Sequence, residues 1–259
     1  MKSELSIIII TKNAQHTIAD CLLSCRFASE IILCHNSTDD TVKISQTIVP
    51  SIKIFPNPQP FVFSTARNEA LRHATKKWVL FIDDDERITP KLKSQIIKSI
   101  NSKDNITNYD IPRANYFLGK RVKYGGTYPD YVKRLFLVSS FQGYSGNLHE
   151  QPIISGPQAK LTGHFNHYTH TDLSSMLTKS IDWTPLEARL LFEANHPPVV
   201  WWRFIRMMFT KLWQRLIIQS MWRDGIVGWI SVIFEVFDTY MIYASLYEYQ
   251  QSHAQGRHL

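Results

Sequence analysis

Cysteine is scarce in this chain, which argues against a cysteine-ligated metal site. Only three of the 259 residues are cysteine, Cys21, Cys25 and Cys34, and they have none of the usual metal-ligand spacings. Cys21 and Cys25 are four positions apart, which on a helix places both on one apolar face with Ile18 and Leu22. We therefore expect reduced thiols in the core of a cytoplasmic protein.

Long hydrophobic runs are also missing. No apolar run reaches the roughly 18–20 residues of a membrane span, and the nearest candidate, residues 226–247, is interrupted by Glu235 and Asp238. The apolar residues 7–10 are too few for the hydrophobic segment of a signal peptide, and polar residues follow them directly. The sequence therefore predicts a protein on the cytoplasmic side that has no signal peptide and no membrane span.

The chain does have ample apolar content and an excess of positive charge. Hydrophobic residues make up 44% of the sequence, which is enough for a packed core, and the length suits one large domain or a domain plus an appendage. The formal net charge is +7 at pH 7 and the isoelectric point is about 9.2. An anionic partner is therefore expected, such as nucleic acid, phospholipid or an anionic glycan.

Residues 78–87 carry the strongest local signal. The five apolar residues 78–82 have the length and the aromatic and β-branched content of a buried strand, and four acids, Asp83 to Glu86, follow at once. In open α/β sheets the carboxyl ends of the strands form the ligand-binding edge. Adjacent acids repel one another unless a cation or a basic group neutralises them. The cluster therefore predicts a hard metal ion that is shared with a phosphate-bearing substrate.

The first hundred or so residues alternate between strand and helix patterns, which predicts a parallel sheet with right-handed crossovers. Shorter strands separated by glycine and proline turns then predict a mixed or antiparallel extension, and from Asp172 onward the sequence is helical. We therefore predict a Rossmann-type, mostly parallel α/β sheet with helices on both faces in a catalytic domain over residues 1–170. A helical region follows over residues 171–259. The predicted strands are residues 5–10, 30–34, 51–55, 78–82, 109–113, 131–138 and 151–154, and the predicted helices are residues 14–27, 40–49 and 64–77 and a helix that Thr89 and Pro90 open.

Several polar groups converge at the carboxyl ends of the predicted strands. The first strand ends at Thr11 to Asn13 and the second at Cys34 to Asp39, while Arg67 lies in the first turns of the helix before the acidic strand. In a parallel sheet these ends share one edge. Polar loops suit a base and a ribose, and a cation with an arginine suits phosphate, so the edge predicts a site for a nucleoside diphosphate.

These segments resemble glycosyltransferase family 2, whose members have the nucleotide-sugar-binding GT-A fold. The resemblance also includes features of lipopolysaccharide core glycosyltransferases of the WaaE/KdtX type, namely the Asp-x-Asp-Glu ending and a later Leu-His-Glu. The matching segments, in this order and spacing, are residues 9–13 (IITKN), 37–41 (STDDT), 66–68 (ARN), 81–87 (FIDDDER) and 148–150 (LHE).

The resemblance implies roles for the acidic residues. Asp83 and Asp85 match the Asp-x-Asp motif, so Asp85 would ligate Mg²⁺ or Mn²⁺ on the donor diphosphate and Asp83 would contact ribose or metal. Glu150 matches the catalytic base. Because side chains alternate along an extended backbone, Asp84 is expected to point away from Asp83 and Asp85. Glu86 and Arg87 are expected to orient the loop rather than to bind metal.

On the nucleotide side, Thr11, Asn13 and Arg67 match positions that contact the nucleotide. Members of the family usually carry Asp at the end of the second strand, where it contacts the base, but this chain has Cys34 there. A thiol is a poor acceptor for a uracil N–H. Either a neighbour such as Asp39 replaces the missing Asp, or the nucleotide preference differs.

Three histidines, His164, His167 and His170, lie three positions apart, which suggests a metal site. No acids accompany them in the sequence, so loop or core histidines are the simpler interpretation. His167 and the following tyrosine resemble a His-aromatic element downstream of the base in the lipopolysaccharide enzymes. His167 is therefore a further candidate for the substrate site.

The helical region carries a second signal. Residues 201–215 combine tryptophans and other apolar side chains with arginine and lysine and contain no acid. That composition suits a helix lying in a membrane interface. The alternative is a helix packed on the catalytic domain with its arginines reaching solvent. Nucleic acid is a less suitable partner because no nucleic-acid-binding motif accompanies these arginine and lysine residues.

The sequence thus predicts an inverting, metal-dependent glycosyltransferase on the inner face of the cytoplasmic membrane. The resemblance implies a nucleotide-sugar donor, UDP-glucose in particular, and a lipid-linked glycan acceptor such as the lipopolysaccharide inner core. Two alternatives stay open. One is a metal-dependent nucleotidyl or phosphoryl transferase, which would need further carboxylates for a second metal. The other is a non-catalytic, membrane-bound protein that binds nucleotide sugars.

Overall fold

A computed structural model describes residues 3–57, 62–146 and 150–255 of the chain. It divides into two compact units. The first unit comprises residues 1–114 and 129–167, and the second comprises residues 115–128 and 168–259. The second unit thus includes a short segment that lies far from the C-terminal helices in the sequence.

The first unit is built on four parallel strands. They are β1 (Leu5–Thr11), β2 (Glu30–His35), β3 (Lys53–Pro56) and β4 (Trp78–Asp83), in the spatial order β3-β2-β1-β4. In the register of the sheet, Ile10 lies opposite Cys34 on one side and opposite Asp83 on the other. The predicted parallel sheet is confirmed, and it brings the ends of β1, β2 and β4 to one edge.

Helices cover both faces of this sheet, as its apolar pattern predicts. They are α1 (Ile18–Cys25), α2 (Thr41–Ile48), α3 (Phe63–Arg72) and α4 (Pro90–Ile100). Because side chains alternate along a strand, Ile7 and Ile9 of β1 join a core that includes residues of α1, while Ile8 and Ile10 join a core that includes residues of α3. α4 begins as predicted, with the Thr89 side chain accepting a hydrogen bond from the Leu92 amide and with proline in its first turn.

An antiparallel extension continues the sheet beyond β4. It consists of β5 (Glu86–Ile88), β6 (Asn108–Phe117), β8 (Asp130–Leu137) and β12 (Phe165–His170), in the order β4-β8-β6-β12-β5. Four short strands complete the set. β7 (Lys120–Arg121) and β11 (Gln158–Lys160) both pair with β6, while β9 (Phe141–Ser145) and β10 (Gln151–Ile154) form a separate two-stranded antiparallel sheet. The predicted mixed extension is confirmed, and it places β8 and β5 beside the acidic end of β4.

The second unit is mainly helical. It contains α5 (Leu173–Glu193), α6 (Trp201–Trp213) and α7 (Ile226–Ala254). A π-helical turn over Gln214–Ile218 and a 3₁₀ turn over Met221–Asp224 lie between α6 and α7. Asp172 and Ser175 form a reciprocal cap at the start of α5. A small core packs α5 against α7 through Ala188, Tyr243 and Leu246.

Among the described residues, α7 is the one helix with the length and composition of a membrane span. It has 29 residues, and its most apolar window has a mean hydropathy of 1.4 and is 33% buried. This differs from the prediction of no membrane span, which rests on the interruption of the apolar run by Glu235 and Asp238. A core helix of a soluble protein meets the same criteria, and both acids have partners, Arg215 for Glu235 and Ser180 for Asp238.

Candidate active site

Asp83, the last residue of β4, is held between two arginines. Arg67 Nη2 of α3 lies 3.1 Å from Asp83 Oδ1, and Arg134 Nη2 of β8 lies 2.5 Å from Asp83 Oδ2. Burial alone would raise the pKa of Asp83, but Arg134, Arg67 and Arg113 hold it well below its usual range. The same pairing raises the pKa of Arg134 against the effect of its own burial. Both oxygens of Asp83 are therefore occupied by guanidinium groups.

The next two acids turn to other elements. Thr11 Oγ1, at the end of β1, donates a hydrogen bond of 2.5 Å to Asp84 Oδ2. Asp85 Oδ2 lies 3.4 Å from His167 Nε2 of β12. Asp84 and Asp85 lie in the turn between β4 and β5, not on an extended backbone, so the turn rather than strand alternation gives them different partners. Three consecutive carboxylates thus meet three different parts of the sheet.

Glu86 and Arg87 fix the backbone of the acidic loop, as expected. Glu86 is fully buried, and its Oε2 accepts a hydrogen bond of 3.0 Å from the Asp83 amide. Burial and the neighbouring Asp83 charge raise the pKa of Glu86. Arg87 donates to the carbonyl oxygens of Asp84, Glu86 and Thr17. The side chains of Glu86 and Arg87 therefore hold the backbone of the loop.

Arg67 connects the acidic edge to Glu150. Its Nε lies 2.6 Å from Glu150 Oε1, and the two side chains are 4% and 16% exposed. The guanidinium also lies over the rings of Phe81 and Tyr144, at 5.7 Å and 5.3 Å from their centres. Arg67 Nε and Nη1 and Glu150 Oε2 are buried and have no hydrogen-bond partner among the described residues, so the contact between Nε and Oε1 is an ion pair without hydrogen-bond geometry. Leu148 and His149, which precede Glu150 in the predicted motif, lie outside the described residues.

Asn68, the neighbour of Arg67, secures the aromatic side of this arrangement. Its side chain makes two hydrogen bonds with the backbone of Tyr144, 2.9 Å to the carbonyl oxygen and 2.7 Å from the amide. A Cβ at Gly143, where φ is +109°, would lie 2.5 Å from Asn68 Oδ1. Glycine is therefore required at this position for β9 to approach α3 so closely.

The loops after β1 and β2 are bound to each other. Asn13, with a left-handed φ of 54°, accepts a hydrogen bond of 2.8 Å from the Thr38 amide at its Oδ1. Asp39 accepts from the Gln15 amide at 3.1 Å and from the Thr41 hydroxyl at 2.5 Å. Burial would raise the pKa of Asp39, but these hydrogen bonds lower it. The carboxylate of Asp39 is thus engaged in joining the two loops.

Cys34 faces the core rather than the edge. It is fully buried, and burial raises the pKa of its thiol to about 11. It belongs to the same apolar cluster as Ile8 and Ala66. The reduced core cysteines predicted from the sequence are confirmed, since Cys21 and Cys25 are also buried and free.

The side chains at this edge that could ligate a metal suit an ion that binds together with a diphosphate better than an ion that the protein holds alone. Within the described ranges, no group of three or more His, Cys, Asp or Glu side chains could hold a metal. Asp85 and His167 offer one carboxylate and one imidazole side by side. An ion shared with substrate phosphates needs only one or two protein carboxylates. This donor set therefore suits a shared ion.

Two arginines of the site were not predicted from the sequence. Arg134 lies in β8 between Lys133 and the buried Leu135, and Arg113 of β6 pairs with Asp130 at 2.6 Å and lies 3.8 Å from Glu86. The local signal that could have found Arg134 is its position directly before the apolar residues 135–137, because an arginine buried beside them needs a partner.

Comparisons with known proteins identify the family. The sequence profile of the family described as glycosyl transferase family 2 matches residues 6–157. The lipopolysaccharide core biosynthesis glycosyltransferase LpsC of Rhizobium meliloti (strain 1021) is 24% identical over 261 residues, which cover 95% of this chain and 93% of LpsC. WfgD of Escherichia coli, a UDP-Glc:alpha-D-GlcNAc-diphosphoundecaprenol beta-1,3-glucosyltransferase, is 34% identical over 128 residues, which cover 45% of this chain and 50% of WfgD.

Among solved structures, the mannosyltransferase PcManGT from Pyrobaculum calidifontis in complex with GDP-Man and Mn²⁺ is similar at a TM-score of 0.48. It is 12% identical and covers 100% of this chain and 89% of its own. The profile match spans more than half of the chain, and this protein therefore belongs to glycosyl transferase family 2.

Proposed function

We propose that this glycosyltransferase moves glucose from UDP-glucose to a lipid-linked glycan of the lipopolysaccharide inner core, with inversion at the anomeric carbon. The observation that carries the proposal is the connection Asp83–Arg67–Glu150, which joins the diphosphate edge to a carboxylate that can act as a base. The names of two relatives support the substrates, since LpsC acts in lipopolysaccharide core biosynthesis and WfgD uses UDP-glucose.

In this mechanism, Glu150 takes the proton from the acceptor hydroxyl as that oxygen attacks the anomeric carbon. Arg67 holds Glu150 by its Nε and has a further buried donor, Nη1, with no partner in the described part of the chain. A buried guanidinium donor of this kind suits a phosphate oxygen of the donor. Thr11 and Asn13 lie at the nucleotide side of the same edge.

Asp85 and His167 would hold Mg²⁺ or Mn²⁺ at the diphosphate. The ion, when bound, would stabilise the negative charge that develops on the leaving diphosphate. We assign Asp83 to orienting Arg67 and to the ribose rather than to the ion, because both of its oxygens are already paired with arginines. Asp39 is engaged in the loop contacts described above, so recognition of the base falls to other groups at the ends of β1 and β2.

A direct test combines donor binding with product formation. Thermal unfolding of the full chain is measured with the glucose conjugates of UDP and GDP and with a CDP sugar, each with and without Mn²⁺. We expect a metal-dependent rise of the melting temperature with UDP-glucose, and glucosylated product when inner-core lipopolysaccharide is added. A metal-dependent rise of the melting temperature with a different nucleotide sugar would identify that compound as the donor instead. A chain that binds UDP-glucose but transfers nothing to any glycan would favour the non-catalytic binding protein instead.

The protein would work on the inner face of the cytoplasmic membrane. On α6, Trp201, Phe209 and Trp213 are 80%, 65% and 61% exposed, and with Ile205 they recur every four residues along one side of the helix. Arg203 and Arg206 lie on the same helix, with their guanidinium groups over the ring of Trp202. Exposed aromatic side chains beside cations suit the interface of an anionic bilayer.

Vesicle flotation tests the membrane contact. The full chain is expected to float with vesicles containing phosphatidylglycerol, and less so with pure phosphatidylcholine or at high salt, because electrostatic attraction is screened. The variant Phe209→Ser/Trp213→Ser should lose flotation, while Ile97→Ser, which removes an exposed apolar side chain from α4, should not. Equal flotation of both variants would refute the role of α6.

A further inference from the structure

The second unit contains a cavity of about 320 Å³ that the proposed chemistry does not use. It is lined by side chains from all three long helices and the turn that follows α6. Its size falls within the range of about 300–1,000 Å³ in which small-molecule sites occur. The charged groups of the lining are Glu187 of α5, Lys211 of α6, Arg215 of the π-helical turn, and Glu235 and Asp238 of α7.

Three of the charged groups have partners within the unit. Arg215 pairs with Glu235 and donates to the Gln219 side chain at 2.7 Å. Asp238 accepts a hydrogen bond from Ser180. Burial raises the pKa of both Glu235 and Asp238, which indicates that water solvates this side of the cavity poorly.

The remaining two groups, Glu187 and Lys211, make no side-chain hydrogen bond or ion pair within the described residues. They present an acceptor and a donor to the same space. Two further polar side chains in the lining, Ser231 and Thr239, are 2% and 6% exposed. The rings of Phe117 and Phe234 provide an apolar wall. The cavity is therefore a polar site with an apolar side rather than a closed network of salt bridges.

The charges limit the class of ligand. Three carboxylates against two cations disfavour a phosphate or another anion. In the part of the chain that is described, no group of three ligating side chains could hold a metal ion. A neutral polyhydroxyl compound satisfies the lining better, because each hydroxyl both donates and accepts a hydrogen bond and a sugar ring has an apolar face.

We propose that this cavity binds a sugar residue of the acceptor glycan, with Glu187 accepting from its hydroxyl groups and Lys211 donating to them. The proposal rests on the function proposed above, because it identifies the ligand as part of the acceptor. It assigns recognition of the acceptor sugar to the second unit, whose helices α5, α6 and α7 lie outside the residues matched by the family profile.

Saturation-transfer NMR on the full chain tests the site directly. The probes are the methyl glycosides of glucose, N-acetylglucosamine and heptose. We expect saturation transfer from the wild type to at least one glycoside, and binding weaker by about tenfold or more in Glu187→Gln and in Lys211→Met, which each remove one charge-assisted hydrogen bond. Asp182→Asn, which removes an exposed charge from the same helix, is the matched control and should bind as the wild type does. Melting temperatures close to that of the wild type establish that the variants are folded.

Transfer and donor hydrolysis separate this site from the proposed function. The Michaelis constant for the acceptor should rise in Glu187→Gln while hydrolysis of UDP-glucose stays unchanged. If the protein binds a glycoside but neither transfers nor hydrolyses any nucleotide sugar, the proposed function is wrong and the saccharide site stands. No saturation transfer to any of the glycosides, or equal binding by the wild type, Glu187→Gln and Lys211→Met, would overturn the proposal.

Discussion

Replacing Glu150 with glutamine should separate chemistry from donor binding. The substitution keeps the shape of the side chain and an oxygen beside Arg67 Nε, but it removes the charge and the basicity. Arg67 retains its contact with Asp83 at 3.1 Å, so the diphosphate edge should persist. Glu150→Gln is therefore expected to change the reaction step and to leave the binding of UDP-glucose nearly intact.

The size of the effect follows from the role of a general base. Loss of such a group typically lowers turnover by about 10²–10⁴-fold, which is equivalent to about 3–5 kcal/mol in the barrier. The effect on folding should be smaller, about 1–3 kcal/mol, because a contact between two charges loses one of them in a mostly buried site. A loss of turnover larger than the loss of stability can explain is the signature of a catalytic group.

The assay compares turnover with donor affinity in the same preparation. Transfer from radiolabelled UDP-glucose gives turnover, and titration calorimetry gives the donor dissociation constant. Glu69→Gln, which removes a partly exposed carboxylate from α3, is the matched control and should keep both quantities. Turnover of Glu150→Gln close to that of the wild type would remove Glu150 from the mechanism. A parallel fall in donor affinity would instead give Glu150 a structural role through Arg67.

Three further predictions concern the metal, the buried arginine and acid stability. Asp85→Ala should abolish the effect of Mn²⁺ on UDP-glucose affinity, and tight binding that ignores a chelator would contradict the metal role. Arg134→Met should lower the free energy of unfolding in urea by about 1–3 kcal/mol, because it leaves the half-buried carboxylate of Asp83 with one contacting arginine instead of two. A loss well below about 1 kcal/mol, as for a surface pair, would refute this. Burial would raise the pKa of Glu30, but hydrogen bonds from Lys53 and its other neighbours lower it from about 4.5 to about 2. Because the pKa is lower in the folded state, Glu30 stabilises the fold by about 3 kcal/mol above about pH 4.5, and this stabilisation is lost as the pH falls towards 2. The free energy of unfolding of Glu30→Gln should therefore depend less on pH in this range than that of the wild type.

The parallel half of the sheet could be predicted because its signals are local. Buried parallel strands are continuous apolar runs, and β4 is found one residue longer than the predicted strand over 78–82. The ends of helices were less predictable. The helix predicted over residues 64–77 ends at Arg72, because Ala74 and the residues after it form the turn that leads into β4.

The partners of the site residues could not be predicted, because they come from distant parts of the chain. Arg134 lies 51 positions from Asp83, and no local pattern links the two. The role of Asp39 could not be predicted either. Its type and its place after β2 suggest a ligand-binding acid, but Gln15 and Thr41 use its carboxylate to connect two loops. Residue type and strand order identify the edge of the sheet, whereas the assignment of each acid requires the packing of the whole unit.

The acidic loop illustrates why the four adjacent acids need no single cation to neutralise them. Asp83 is compensated by two arginines, Asp84 accepts from Thr11, Asp85 lies beside His167, and the Glu86 pKa is raised by burial. The charge that the sequence assigns to one metal ion is thus distributed over several protein partners. Asp85 is the acid whose neighbour is a side chain that can also ligate a metal. A divalent ion would therefore depend on the diphosphate for most of its ligands, and the affinity of the protein for Mn²⁺ alone should be weak compared with its affinity in the presence of UDP.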